Sequence, residues 1–421
     1  MFTQVKELIT FIENQRRHEK KETLDYMFSL CHLFGDPHLK SKFIHIGGTN
    51  GKGSTVTYVK SMLLAAGYHV GTYISPYIVC FNERITYDDA YISDDDVLRY
   101  GNAIIDRYGE LDNLSMRHPS FFEFVTLLAF LYFADQKNLD VVVFEVGIGG
   151  LLDCTNVVSP LISAVTNVTF DHMNILGDTL EEIWSNKLGI VKEGTPFVTI
   201  RDVDHLGQIT STCNAHHAPL TLVDKHEIRN PHISFYETIF SYHQYENLRL
   251  TLLGFHQIEN AILSINIIEQ LSSTFKVSYE AIAHGLENAK WPGRLEVVSR
   301  NPIIILDGAH NIDAIHRLCE FIASIKGTDR IRIVFAVSAN KAKEQMIPQL
   351  EPLADEMIFT HFMYKRSDES MHLFELSKHP NKQVMDDIDE ILAYVHRDPT
   401  TVNIFCGSLF FVSELRPKLL K

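Results

Sequence analysis

Gly47-Gly48-Thr49-Asn50-Gly51-Lys52-Gly53-Ser54 follows the apolar run Phe43-Ile44-His45-Ile46 and leads into STVTYVKSMLLAAG (54–67), whose spacing predicts a long amphipathic helix stopped by Gly67. Strand, glycine-rich turn and helix in that order are the setting a phosphate loop requires. Glycines let backbone N–H groups turn toward oxyanions, and the helix N-terminus adds partial positive charge. Lys52 is placed to reach β- and γ-phosphates, and the Ser54 hydroxyl to ligate Mg²⁺. The usual pattern puts Ser or Thr directly after the lysine, whereas Gly53 intervenes here. Phosphate binding still outranks a plain glycine-rich turn, because Lys, Gly and Ser all fall in the right structural setting.

Working outward, HVGTYI (69–74), VVVFEV (141–146) and LISAVTNV (161–168) read as buried strands, and residues 118–135 as a buried helix. The opening stretch from Phe2 to about Leu33 has helical spacing, and 225–250 reads as a β-hairpin-like excursion. GFHQIENAILSINIIEQL (254–271) is a clear helix. After Trp291-Pro292-Gly293-Arg294 a second series begins, with strands at 302–306, 331–337, 356–360 and 401–407. Apolar strands alternating with helices imply a parallel α/β sheet. The fold class is α/β: an N-terminal P-loop-type parallel-sheet ATPase domain, 1–296, and a smaller C-terminal Rossmann-like α/β domain, 297–421.

With 421 residues, two or three domains are expected. Against 38 Lys+Arg stand 53 Asp+Glu, a formal net charge of −15, which argues against nucleic acid or an anionic membrane as the main partner. Small anions need only a local pocket. No apolar run reaches the length of a membrane span, and MFTQVKELITFIENQRRHEK lacks the apolar core of a signal peptide. Six cysteines without CxxC spacing read as reduced buried thiols, so the expected compartment is the cytoplasm.

Three further residues sit where chemistry is expected. Glu145 ends VVVFEV before Gly147-Ile148-Gly149-Gly150, at the carboxyl end of a buried strand and so facing the usual ligand crevice. It reads equally as a Mg²⁺ ligand or as an acid anchoring a loop. Asp171-His172 follows LISAVTNV in the same position, and two such sites in one sheet favour metal or phosphate chemistry over a structural histidine. Lys187, in SNKLGIVKEG, reads by default as a surface lysine.

The ensemble resembles a known family. GTNGKGS, SPYIVCFNERI (75–85), EVGIGGLLDCTNVV (145–158), TNVTFDHMNILG (166–177), NKLGIVK (186–192), GFHQIENA (254–261), WPGRLE (291–296), LDGAHN (306–311) and GSLFFVSELR (407–416) look like folylpolyglutamate synthase/dihydrofolate synthase of the Mur ligase superfamily. The resemblance implies an ATP-dependent ligase that adds L-glutamate to folate or dihydropteroate through an acyl phosphate. It implies that Asn50, Gly51, Lys52, Gly53, Ser54, Asn260, Arg294 and Asp307 contact nucleotide, and that Ser54, Glu145, His172 and a carbamylated Lys187 hold two Mg²⁺ ions. Lys52, Lys187, Arg294 and His310 would be catalytic. Ser75 and Arg84 match the pterin side, and Ser408 the incoming glutamate. A monomer is implied as well.

Some positions depart from the family pattern. Leu151 stands where many relatives carry Arg, Asn186 where Glu is usual, and Asn340-Lys341-Ala342 in place of Asp-Lys-Asp. Two other readings compete: a different Mur-type amino-acid ligase, against which FNERI and GSLFFVSELR argue, and a non-catalytic nucleotide-binding relative, against which the retained Lys52, Glu145, His172, Lys187 and His310 argue.

Overall fold

The computed structural model describes residues 1–15, 22–77, 80–364 and 366–420. Residues 16–21 of the expected N-terminal helical stretch, and Ile78 and Val79 of SPYIVCFNERI, lie outside the described residues. The chain forms two compact units, Met1–Lys225 with Asn260–Gly285, and His226–Glu259 with Leu286–Lys421.

The first unit is built on an eight-stranded sheet. Its strands are β1 (Phe43–Gly47), β2 (Val70–Tyr73), β3 (Ile85–Tyr87), β4 (Ala90–Tyr91), β5 (Val141–Glu145), β6 (Ile162–Val165), β7 (Phe197–Ile200) and β8 (Leu220–Val223). Their spatial order is β4-β3-β2-β5-β1-β6-β7-β8. All neighbours pair in parallel except β2–β3 and β3–β4. β1, β5 and β6 are buried at every position. Their continuous Val/Ile/Phe runs reflect a sheet covered on both faces. Strand order reverses about β1: the chain crosses to β2 on one side and later to β6 on the other, so the crevice opens at the carboxyl ends of β5, β1 and β6.

The helix after β1, Lys52–Ala65, corrects the expectation of an amphipathic one. Gly53 through Val59, Met62 and Leu63 are all buried. It packs on the sheet on one side. On the other, a Cβ at Gly285 would meet the Ser61–Met62 backbone at 2.5–2.8 Å, and the Ser264 hydroxyl donates to Thr55 O at 3.5 Å. A helix covered from both sides has no polar face to show.

Beneath the crevice, Phe144 stacks on Phe130 (5.2 Å, 9°) and on Tyr73 (4.6 Å, 23°), and Phe43 meets Phe144 edge-on at 5.3 Å. These rings set the spacing of β1, β2 and β5 at their core.

In the second unit, residues 225–250 form an antiparallel three-stranded sheet in which β10 (Thr238–Tyr242) lies between β9 (Ile228–Ile233) and β11 (Tyr245–Leu250). A six-stranded sheet holds β12 (Glu296–Arg300), β13 (Ile303–Leu306), β14 (Arg330–Phe335), β15 (Glu356–Phe359), β16 (Lys382–Val384) and β17 (Thr401–Cys406). The order is β12-β13-β17-β14-β15-β16, with only β12 antiparallel. All six cysteines are free thiols; Cys31, Cys154, Cys213 and Cys406 are buried as expected, whereas Cys80 and Cys319 are only partly buried.

Phe144→Ala removes the ring shared by the stacked pairs. The expected cost is about 3–5 kcal/mol, read from guanidinium unfolding. A loss below about 1 kcal/mol would contradict the central place given to that ring.

Candidate active site

The glycine loop leaves β1 and turns at Gly51, where φ is +83° and a Cβ would run into the Asn260 carboxamide. Only glycine fits there, and Asn260, nearly buried, is thereby set against the loop. The loop is stitched to the chain that follows β6. Thr49 N–H donates to Asn167 O and Asn50 N–H to Asn167 Oδ1, both at 2.8 Å. The Thr166 hydroxyl donates to Asn50 O at 2.6 Å, and Thr49 and Thr169 exchange two hydrogen bonds at 3.1–3.2 Å. Lys52 curls over its own loop and donates to Gly48 O and Thr49 O at 3.0 Å. Ser54 is buried in the first turn of the helix.

Glu145, across from Ile46 in the β1–β5 register, is buried and accepts the Ser75 N–H at 2.9 Å. That bond is the loop-anchoring reading of the acid, and it also fixes Ser75 beside the strand end. Arg84 lies under three aromatic rings, Tyr77 at 5.0 Å, Phe121 at 5.2 Å and Phe81 at 5.9 Å. Burial holds its pKa below the usual arginine value, and its Nε has no hydrogen-bond partner.

Lys187 corrects the expectation of a surface lysine: it is 3% exposed. The glycines of 147–150 explain why. A Cβ on Gly150 would lie 2.8 Å from the carbonyl oxygens of Asn186 and Lys187, so this loop seats directly on the end of helix Leu180–Leu188. Leu151 N–H donates to Asn186 O at 2.8 Å. Among the described residues the Lys187 ammonium makes no hydrogen bond or ion pair. Burial brings its pKa down to about 7, the Lys52 charge pushes the same way, and Asp171 and Asp153 oppose it. Lys52, Lys187, Asp153 and Asp171 therefore share one electrostatic neighbourhood.

His172 adopts a left-handed conformation (φ +49°) at the start of the turn Met173–Leu176, and its side chain is half-exposed. Asp171 Oδ1 accepts its backbone N–H at 2.9 Å.

The second unit gathers its own group at the carboxyl ends of β13 and β17. Asp307 is buried and accepts the N–H groups of Leu295 and Ala309, both at 2.9 Å. Burial raises its pKa, while Arg294 and those two bonds pull it down. A Cβ on Gly308 would reach Arg294 Nη1 at 3.3 Å. His310 Nδ1 donates to Gly308 O at 2.8 Å, which fixes Nδ1 as a protonated ring nitrogen. Ser408 caps helix Leu409–Leu419 and accepts the Phe410 N–H at 3.2 Å. Beside Asn340–Ala342, Lys343 is buried, paired with Asp368, and donates to Ala339 O at 3.0 Å.

Sequence reasoning missed Asp153, Thr155, Asn167 and Thr166. Asp153 is buried, accepts the Ile148 and Thr155 N–H groups, and takes the Thr155 hydroxyl at 2.6 Å. The Thr155 hydroxyl in turn receives His45 Nε2 at 2.8 Å, a ring kept neutral by burial with a pKa near 3. The available signal was the polar run TNVT (166–169) directly after a buried strand.

Residues 46–268 match the Mur ligase middle domain and residues 293–409 the Mur ligase glutamate ligase domain. The dihydrofolate synthase/folylpolyglutamate synthase of Bacillus subtilis (strain 168) is 38% identical over 429 residues, covering 100% of both chains. The crystal structure of folylpolyglutamate synthase from Thermotoga maritima superposes with a TM-score of 0.87 at 33% identity, over 99% of this chain and 96% of that one. E. coli FolC in complex with DHPP and ADP gives 0.86 at 25% identity, over 99% and 98%.

The chain belongs to the folylpolyglutamate synthase/dihydrofolate synthase family of Mur ligases.

Within that family the departures can be placed. The Leu151 side chain is half-exposed, and its backbone, not its side chain, holds the Lys187 helix. Asn186 packs where a Cβ on Gly149 would fall. Among the described residues no three His, Cys, Asp or Glu side chains converge as a metal cluster. This is compatible with Mg²⁺, which takes one or two carboxylates and completes its shell with phosphate and water.

Lys187 gives a pH signature with a definite sign. Its folded pKa of about 7 lies below the ordinary 10.5, so from pH 7 upward the unfolded chain binds more protons than the folded one. Stability relative to Lys187→Met should therefore rise as pH climbs above 7, by at most about 1.4 kcal/mol per pH unit. Denaturant midpoints in CO₂-free buffer measure it. A difference independent of pH would show that Lys187 is not a desolvated amine.

Proposed function

We propose that this chain is an ATP-dependent ligase that joins L-glutamate to a (tetrahydro)folate or dihydropteroate carboxylate. The observation that carries the reading is the convergence, at the ends of β5, β1 and β6, of a glycine loop with Lys52, a buried Glu145 and a desolvated Lys187. A carboxylate is a poor acylating agent, because its leaving group would be oxide. Its oxygen attacks the γ-phosphorus of ATP and ADP departs. The acyl phosphate so formed has phosphate as leaving group. The glutamate amine attacks the acyl carbon, loses a proton as the C–N bond forms, and releases phosphate.

The chain's own residues have assignable parts. Asn50, Gly51, Gly53 and the helix N-terminus bind phosphate oxygens, and Lys52 neutralises charge on the transferring phosphoryl group. Asn260 borders the nucleotide. Ser75 and Arg84, under its aromatic rings, orient the pterin-bearing substrate. In the second unit, Arg294 and Asp307 serve the nucleotide and Ser408 the glutamate. His310 Nε2 is the nitrogen suited to take the amine proton. Ser54, Glu145 and His172 would hold Mg²⁺, which when bound offsets phosphate charge. Two ions are proposed, the second with a carbamylated Lys187. A neutral amine near pH 7 is what carbamylation by CO₂ requires, since the lone pair forms the N–C bond. We place the ATP-binding part within 1–296 and the glutamate-ligase part within 297–421. We take the enzyme to be a cytoplasmic monomer; among the described residues no helix is long and apolar enough to cross a membrane.

Phosphate release from MgATP and L-glutamate tests the reading, with dihydropteroate and tetrahydrofolate as separate acceptors. Turnover with at least one is expected, and silence with both would contradict it. Lys52→Ala should lower turnover by at least about 100-fold with the fold intact; near-normal turnover would remove Lys52 from the phosphate site. Lys187→Ala should be inactive and partly rescued by short carboxylic acids, whereas full activity would exclude an essential role.

A further inference from the structure

At the end of the first unit's sheet opposite the glycine loop lies a cavity of about 760 Å³. Its walls include segments that lead into β1, β6 and β7, at their amino-terminal ends. Phe28, Leu33, Met116 and Val157 make it largely apolar, and the volume is that of a small-molecule site.

Three polar side chains in these walls are left incomplete. Lys192 Nζ donates to Asn156 O at 2.9 Å, yet among the described residues no carboxylate pairs with it. A half-buried cation without a counter-charge is costly, and burial accordingly lowers its pKa. Asn156 is 3% exposed. Its Nδ2 donates to Leu151 O at 3.1 Å and Gly189 O at 3.0 Å, while Oδ1 has no partner and lies sealed beneath the wall. His38 is 4% exposed with Nδ1 unpartnered, and Phe28 lies against its ring at 6.1 Å. Asp36, bonded to His32 Nδ1 at 3.1 Å, puts a carboxylate at the rim, whereas Lys192 puts a cation in its own wall. None of these residues has a part in the ligase chemistry above.

We propose that this cavity binds a small aromatic anion: a planar apolar body against Phe28 and Met116, and a carboxylate or sulfonate for Lys192. Asn156 also ties the wall to Leu151 and Gly189, which flank the Lys187 helix end, so an occupant touches a residue that braces the catalytic loop.

The probe is naphthalene-2-sulfonate, which has one planar apolar body and one sulfonate and is itself fluorescent. It is titrated by fluorescence into the full chain with ATP and tetrahydrofolate saturating. One saturable site per chain is expected. Lys192→Met should weaken it tenfold or more, the scale of a lost charge-assisted hydrogen bond. Leu114→Trp, on the exposed rim, should block it while turnover stays at the wild-type level. Binding within twofold of wild type in both variants, or no binding while ATP and tetrahydrofolate are saturating, would overturn the proposal. If Lys192→Met does not fold, Leu114→Trp decides alone.

Discussion

The interaction on which the rest depends is the seam between the loop after β1 and the loop after β6. Hydrogen bonds among Thr49, Asn50, Thr166, Asn167 and Thr169 fix the path of the glycine loop with backbone and short polar side chains alone. A loop made of glycines is entropically free in the unfolded chain, so its shape must be imposed from outside. The seam imposes it, and the helix behind it points its first-turn N–H groups at whatever the loop holds. β5 completes the arrangement on the other side through Glu145 and its bond to Ser75.

A second constraint works through charge. Placing Lys187 under the 147–150 loop takes an amine out of water, and neither Asp171 nor Asp153 pairs with it directly. The outcome is an amine whose pKa is brought down to about 7, in the field of the Lys52 charge. Asp153 could have neutralised it, but its oxygens are committed to Ile148, Thr155 and the His45-backed hydroxyl. The structure thus withholds a counter-charge from Lys187.

Much of this was legible in the sequence. The central strands announce themselves, because a parallel strand buried on both faces is an uninterrupted apolar run, and the glycine loop, Glu145 and Asp171-His172 all follow such runs. The errors share a cause: residue type does not report what the chain packs against. Helix 52–65 was expected to show a polar face, yet the Thr and Ser residues of its first turns are buried against neighbouring helices and the sheet. Lys187 looked like an ordinary surface lysine, and only the close approach permitted by Gly150 buries it. The antiparallel edge β3–β4 carries mixed residues and gave no strand signal. Asp153 is invisible as a hub, because its partners are backbone groups and a threonine.

Transfer of oxygen from acceptor to phosphate tests the central claim most directly. The acceptor carboxylate is labelled with ¹⁸O, and the inorganic phosphate released with MgATP and L-glutamate is examined by mass spectrometry. An acyl phosphate requires one labelled oxygen per phosphate at each turnover. Amide formed with unlabelled phosphate would mean that the carboxylate never attacks phosphorus, and the phosphoryl-transfer account of this site would fall.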